Sequence, residues 1–367
     1  MRMKKFTLMI VAALMAVTAN AQKLERAQLA RPMQDRLSMM SRPIQGKPWS
    51  TIKHLKKVHK AHKAASVSSV EDLTGTWIQI YYSYYEETFI STVMEITKTK
   101  GSNNKIIISG WWDRAAEPIE ATVDLKAGTI SIAPQLLYEY EGDEPAELVN
   151  ATTEGAALIG TIEEDGSITF EDEWVAQLLG KTAKYEYAAA TSLVRPNGKM
   201  NFVNEGELFS IDIYVEQEEE GNKVFIFNFG DYGRMIELEL NSNQTFSAPS
   251  SQVVYYGGMQ YGDFILYGIN GDDYADITGT GTETILTFDL PWSGVNSEGF
   301  WFGENEDCTI TLTDGTTFIY PEEDPAGISQ VNAAQQNGGK AFNLAGQQVK
   351  QGYKGIVIKD GKKFVIK

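Results

Sequence analysis

Lys105-Ile-Ile-Ile-Ser-Gly-Trp111-Trp112-Asp113, Val123-Asp-Leu125 and Thr129-Ile-Ser-Ile-Ala-Pro134-Gln135 decide how this chain folds, because the same pieces return later in the same order. Lys223-Val-Phe-Ile answers the first, with Gly230-Asp231 at the place of Trp112-Asp113. Leu238-Glu-Leu240 answers the second. Thr245-Phe-Ser-Ala-Pro249 and Gln252 answer the third. Tyr138 and Tyr140 fall near Tyr255 and Tyr256, Ile159-Gly-Thr-Ile near Ile277-Thr-Gly-Thr, Ser167-Ile-Thr-Phe170 near Ile285-Leu-Thr-Phe288, and Trp174 on Trp292. The offset stays within 115–119 residues. A period that long indicates duplicated domains rather than a solenoid, whose repeats are far shorter.

From Asp72 to Pro321 the chain is a series of β-branched and aromatic runs broken by Gly, Asn and Asp, with almost no helical periodicity. Such runs specify short antiparallel strands. About eight fit each unit, the size of a small up-and-down barrel, with a β-sandwich as the alternative. The expectation is therefore an all-β chain with two tandem antiparallel barrels over 72–204 and 205–321, each burying its own alternating face. Trp111 and Trp112 are adjacent, so a regular strand would turn one of them outward.

Leu73-Thr-Gly75-Thr76-Trp77 resembles the Gly-x-Trp opening strand of lipocalin-like (calycin) barrels. The Trp-rich strand, the Val-Asp-Leu strand and Gly128-Thr-Ile-Ser-Ile-Ala-Pro134-Gln135 together resemble secreted calycin-like domains that occur with C-terminal sorting tails. The resemblance implies that Trp77 plugs the base of the first barrel and that a late-strand Arg packs on it. Arg195, in Leu193-Val-Arg-Pro, is the candidate. The second unit lacks the Gly-x-Trp, which leaves its closure open.

Lys340-Ala-Phe-Asn-Leu-Ala-Gly, Tyr353-Lys-Gly-Ile-Val-Ile and Asp360-Gly-Lys-Lys-Phe-Val-Ile-Lys367 read as three strands, with Asp360-Gly361 a two-residue hairpin signal. They resemble the C-terminal sorting domains of type IX secretion cargo in a shortened form. That implies handling of residues 340–367 by the type IX secretion machinery, after a linker over 322–339.

The N-terminus agrees about the address. Arg2, Lys4 and Lys5 precede an apolar Phe6–Val17 run, and small residues end at Ala21 before Gln22. Residues 1–21 read as a secretory signal peptide cleaved between Ala21 and Gln22, so the expected localisation is secreted or outer-surface. Residues 22–71 form a basic arm and linker: 22–63 hold 11 Lys/Arg against two acids. Trp49, Ile52, Leu55 and Val58 recur among lysines, so residues 49–63 suggest a short basic amphipathic helix. It either touches an anionic membrane or serves as a mobile arm that docks on the acidic body. Residues 64–339 carry 11 Lys/Arg and 46 acids, a field that makes the body a poor partner for nucleic acid. The single cysteine, Cys308, allows no internal disulfide.

All three histidines, His54, His59 and His62, sit in the arm. A Ser-His-Asp device or a His-ligated zinc or iron site in the body is thereby excluded, and no phosphate-cradling glycine loop is present. Paired carboxylates remain. Glu171-Asp172-Glu173, Glu216 with Glu218-Glu219-Glu220, and Glu304-Asn-Glu306-Asp307 could host glycosidase chemistry but read as solvated loops. Asp272, Asp273 and Asp276 could bind calcium but read as an acidic turn. Tyr81, Tyr82, Tyr84 and Tyr85, with Trp111 and Trp112, are the candidate ligand-binding residues: a hydroxyl-bearing aromatic run suits a lined pocket. The expected function is non-catalytic binding of a small apolar or carbohydrate ligand. A structural or adhesive surface protein is the alternative, and a carboxylate-pair glycoside hydrolase is third. No cofactor is expected beyond calcium.

Overall fold

In the computed structural model, the described residues are 67–112, 117–139, 143–218, 222–249, 251–257, 261–322, 341–343, 349, 355–359 and 362–366. The signal segment, the basic arm with its histidines, and the linker from 323 onward lie outside them. Contacts divide the chain into Met1–Pro321 and Glu322–Lys367. Among the described residues no helix is long and apolar enough to cross a membrane.

After a 3-10 helix, Val70–Leu73, eleven strands follow: β1 (Gly75–Ser83), β2 (Thr88–Lys98), β3 (Lys105–Ser109), β4 (Ile119–Asp124), β5 (Thr129–Ile132), β6 (Gln135–Tyr138), β7 (Ala146–Asn150), β8 (Leu158–Ile162), β9 (Ile168–Phe170), β10 (Trp174–Leu178) and β11 (Lys184–Val194). Eight of them, in the order β1-β2-β3-β4-β5-β8-β9-β11, close through a β1–β11 pairing that puts Ile78 opposite Val194. The start of β11 instead pairs with β10, which continues to β7 and β6 as a flap. Twelve strands repeat the plan: β12 (Gly198–Asn204), β13 (Glu207–Gln217), β14 (Lys223–Phe227), β15 (Ile236–Leu240), β16 (Thr245–Ser247), β17 (Val253–Tyr256), β18 (Asp263–Asn270), β19 (Asp273–Ala275), β20 (Thr278–Gly281), β21 (Ile285–Phe288), β22 (Trp292–Val295) and β23 (Asn305–Leu312). The barrel order is β12-β13-β14-β15-β16-β20-β21-β23, closed by β12–β23, with β22, β18 and β17 as the flap. β19 pairs only with β18 and has no counterpart in the first barrel.

The molecule is thus two closed eight-stranded antiparallel barrels, not sandwiches. Two sequence expectations are corrected. Each unit has three or four strands beyond the eight expected. β12, placed in the first unit by a boundary at 204/205, opens the second barrel, so the junction falls between Val194 and Gly198.

Strand alternation builds the cores. In β4, Ile119, Ala121 and Val123 point inward while Glu120, Thr122 and Asp124 are exposed. The first barrel is filled by Trp77, Tyr81, Trp111, Trp112, Phe170 and Trp174, each no more than 2% exposed. In the second barrel the strand register sets Gly198 at the place of Trp77, and the fully buried Met200 follows it into the core. Asn197 then ties the closure, its side chain bonding both N–H and C=O of Val215. Gly279 is a strand residue of β20. A Cβ there would lie 2.3 Å from the Phe246 ring, so glycine is required for close packing.

β1 is buried on both faces. Trp77 and Tyr81 enter the first core, while Ile78 and Ile80 join Val194, Tyr214 and Phe227 in a separate cluster between the barrels. Polar contacts cross the same seam. Ser91 N–H donates to Gly233 O at 2.8 Å, Asn228 N–H donates to Ser91 Oγ at 2.7 Å, and Arg234 pairs with Glu86, both nearly buried.

The C-terminal unit contains a separate antiparallel sheet of β24 (Ala341–Asn343), β25 (Gly355–Lys359) and β26 (Lys362–Ile366), with Lys359 opposite Lys362.

Candidate functional site

One end of the first barrel is closed. Trp77 donates its indole N–H to Leu73 O at 2.8 Å, and the Arg195 guanidinium lies 4.0 Å over its ring. The same guanidinium donates to the carbonyls of Asp72, Thr74 and Thr76 at 2.8–3.1 Å. Gly75, at φ +106°, makes the room: a Cβ there would sit 3.2 Å from Arg195 Nη1.

β1 carries the chain to the opposite end, where antiparallel β11 begins. Tyr84, after β1, and Tyr187, on β11, both donate their phenol O–H to Glu173, the residue before β10. Tyr84 bonds Oε1 at 2.7 Å and Tyr187 bonds Oε2. The two rings lie 4.6 Å apart, and the Lys184 ammonium sits 4.6 Å over Tyr187. Beside them Glu186 is buried and accepts from Ser83 Oγ at 2.7 Å. Burial, reinforced by Glu173, pushes the Tyr187 phenol up to about 12 and raises Tyr84 further. Burial raises Tyr85 as well, with Glu186 adding to it. The phenols are therefore neutral donors across the physiological range. A carboxylate offers about four lone-pair sites, of which the phenols use two.

The six sequence candidates do not line one pocket. Tyr81 is a core residue, edge-on to Trp174 at 5.3 Å. Tyr82 meets Tyr84 and Phe89 edge-on. Trp111 and Trp112 are both buried, at 0% and 1% exposure, which corrects the expectation that one faces outward. The reason is backbone: β3 ends at Ser109, and Gly110 (φ +90°) and Trp112 (φ +77°) break the alternation. Gln79 Oε1 accepts from the Trp112 N–H at 2.8 Å and holds the turn inside. Only Tyr84 and Tyr85 belong to the far end. Glu173, which reads in sequence as part of a solvated loop, is the centre of the cluster. Its signal would have been the Glu-Trp step before a buried Trp174. Asp272, Asp273 and Asp276 are exposed around the β18–β19 hairpin. Among the described residues no three acidic, His or Cys side chains converge with metal-ligand spacing.

The second barrel shows which parts the fold requires. Pairing places Asn150 on Gly268 and Trp174 on Trp292, so Glu173 corresponds to Pro291. Glu173 O accepts from Ala151 N–H at 2.8 Å, and Pro291 O accepts from Ile269 N–H at 2.7 Å. The backbone role is kept while the carboxylate is lost. Tyr187 likewise corresponds to Glu304.

No protein-family model matches the chain, and no curated protein matches it. Among solved structures, the crystal structure of kievitone hydratase from Nectria haematococca matches with 10% identity and a TM-score of 0.18, covering 70% of this chain and 96% of that one. That protein is by name an enzyme, where the sequence reading of this chain expected none. At such a TM-score the likeness carries no reaction, substrate or residue role across.

Proposed function

We propose that the chain is an exported, outer-surface protein whose first barrel binds a hydroxyl-bearing ligand of the carbohydrate kind at Glu173. One observation carries the reading: two phenols hold a half-buried carboxylate at the end away from the Trp77–Arg195 plug, and the duplicated barrel folds without that carboxylate. A group that the fold can omit is retained for another purpose. Sugar hydroxyls would donate to the free lone pairs of Glu173 and stack on partly exposed tyrosine rings. A side-chain-filled interior favours binding at the barrel end over an enclosed ligand.

Calorimetric titration of the protein with a panel of neutral oligosaccharides tests it. One class should bind, and Glu173→Gln should weaken it by tenfold or more. Binding unchanged in Glu173→Gln would sink the reading. Product analysis in the same samples registers any turnover.

The address is proposed from the termini. Removing residues 340–367 should leave the barrels folded and stop the protein short of the outer surface. Normal arrival of the truncated chain would refute a sorting role for the tail.

A further inference from the structure

At one place the second barrel carries rings where the first carries alanines. Strand pairing sets Phe264 on Ala146 and Tyr255 on Tyr138. Along β23 and the residues before it, Phe302 falls on Tyr185 and Phe300 on Ala183. In the first barrel Trp112, Tyr138 and Tyr185 pack on one another and seal this region, at 1%, 0% and 2% exposure. In the second, Tyr232, Phe302 and Phe264 form a ladder of near-parallel rings with centroids 4.6 Å apart. Tyr261 meets Phe300 edge-on at 5.4 Å. Tyr232, Tyr255, Phe300 and Phe302 are half-buried, and Tyr261 is 39% exposed. The fold does not demand a ring at 264 or 300, because the first barrel carries alanine at both places.

The polar chemistry there is already committed. Asn296, buried between these rings in sequence, donates from Nδ2 to Tyr261 O at 2.7 Å. Its Oδ1 accepts from the N–H groups of Phe300 and Glu298. These bonds fix the Tyr261–Phe300 corner and fill the Asn296 Oδ1 acceptor. A sugar pressed on the rings would strip water from its hydroxyls without replacement bonds. A flat aromatic guest needs none, and the half-buried Phe300 and exposed Tyr261 rings suit it, while Phe302, stacked on both faces, backs them.

We infer that the Tyr261–Phe300 corner of the second barrel is a binding site for an uncharged, planar aromatic small molecule. It is independent of the Glu173 cluster, whose carboxylate is absent from this barrel.

The full chain is titrated with 2-naphthol at neutral pH, following the probe's own fluorescence. Saturable binding is expected, weakened tenfold or more by Phe300→Ala and by Tyr261→Ala and unchanged by Glu173→Gln. Alanine at 300 is what the first barrel carries at the corresponding place, so the fold should tolerate it. Should Phe300→Ala unfold, the exposed Tyr261→Ala decides. Absence of saturable binding, wild-type affinity in the ring variants, or displacement of 2-naphthol by a neutral oligosaccharide would each overturn the proposal.

Discussion

Arg195 serves the first barrel twice with one planar group. Its face covers Trp77 while its N–H groups reach three carbonyls between the end of the 3-10 turn and the start of β1. Arg195→Ala should cost about 2–3 kcal/mol, since it removes a cation–π contact and charge-assisted hydrogen bonds together. Arg195→Lys should recover only part of that, because an ammonium has no fork to span the carbonyls. Urea unfolding checks both, and equal stability of the Lys and Arg proteins would refute the geometry. The tyrosines of the Glu173 cluster make a second prediction. The Tyr187 phenol titrates near 12 when folded against about 10 in an unfolded chain. A raised folded pKa contributes stability that is complete below about pH 10 and is lost as pH rises through 12. Melting temperature should therefore fall between those pH values, and Tyr187→Phe should flatten the fall. An identical alkaline slope in Tyr187→Phe would show that this phenol is not responsible.

Gln135 and Gln252 show what a repeat in sequence can and cannot reveal about an element. The offset singled them out as matched positions, but a one-letter match says nothing of what an amide bonds. Each replaces a missing strand partner. Gln135 accepts from Glu120 N–H at 2.7 Å and returns a bond to Glu120 O at 2.9 Å, tying β6 to β4. Gln252 does the same to Glu237 of β15, at 2.7 and 2.9 Å. Gln135→Ala and Gln252→Ala should each cost about 1–2 kcal/mol. They lie in different barrels, so the double variant should sum within about 0.5 kcal/mol. A clear excess over the sum in denaturant unfolding would mean that the two flaps communicate. The strands themselves were legible because alternation and turn residues act locally. Trp111-Trp112 misled because a positive φ at Trp112 is set by the turn and its Gln79 bond, which alternation cannot announce. Glu173 was hidden for a similar reason: its partners lie 89 and 14 residues away.

At the scale of the whole chain, duplication explains two barrels but not why they stay together. The seam does. The outward Ile78 and Ile80 of β1 meet Tyr214 and Phe227, and this double use makes β1 a nearly continuous buried run rather than an alternating one. The boundary was misplaced in sequence because β12 reads like any strand, and only its pairing with β23 assigns it. Across the seam, Glu86 and Arg234 are paired with little solvent, and Ser91 bonds both Gly233 and Asn228. Removing one member of such a pair costs about 3 kcal/mol, because the other charge stays in a poorly hydrated place. The wild-type body should thus unfold in one calorimetric transition, the seam coupling two domains of similar size. Arg234→Ala should separate it into two, while Lys199→Ala, which breaks the exposed Lys199–Asp212 pair, should leave one. A single unaltered transition in Arg234→Ala would place the coupling in the apolar part of the seam, and Ile80→Ser would then be the variant that divides it.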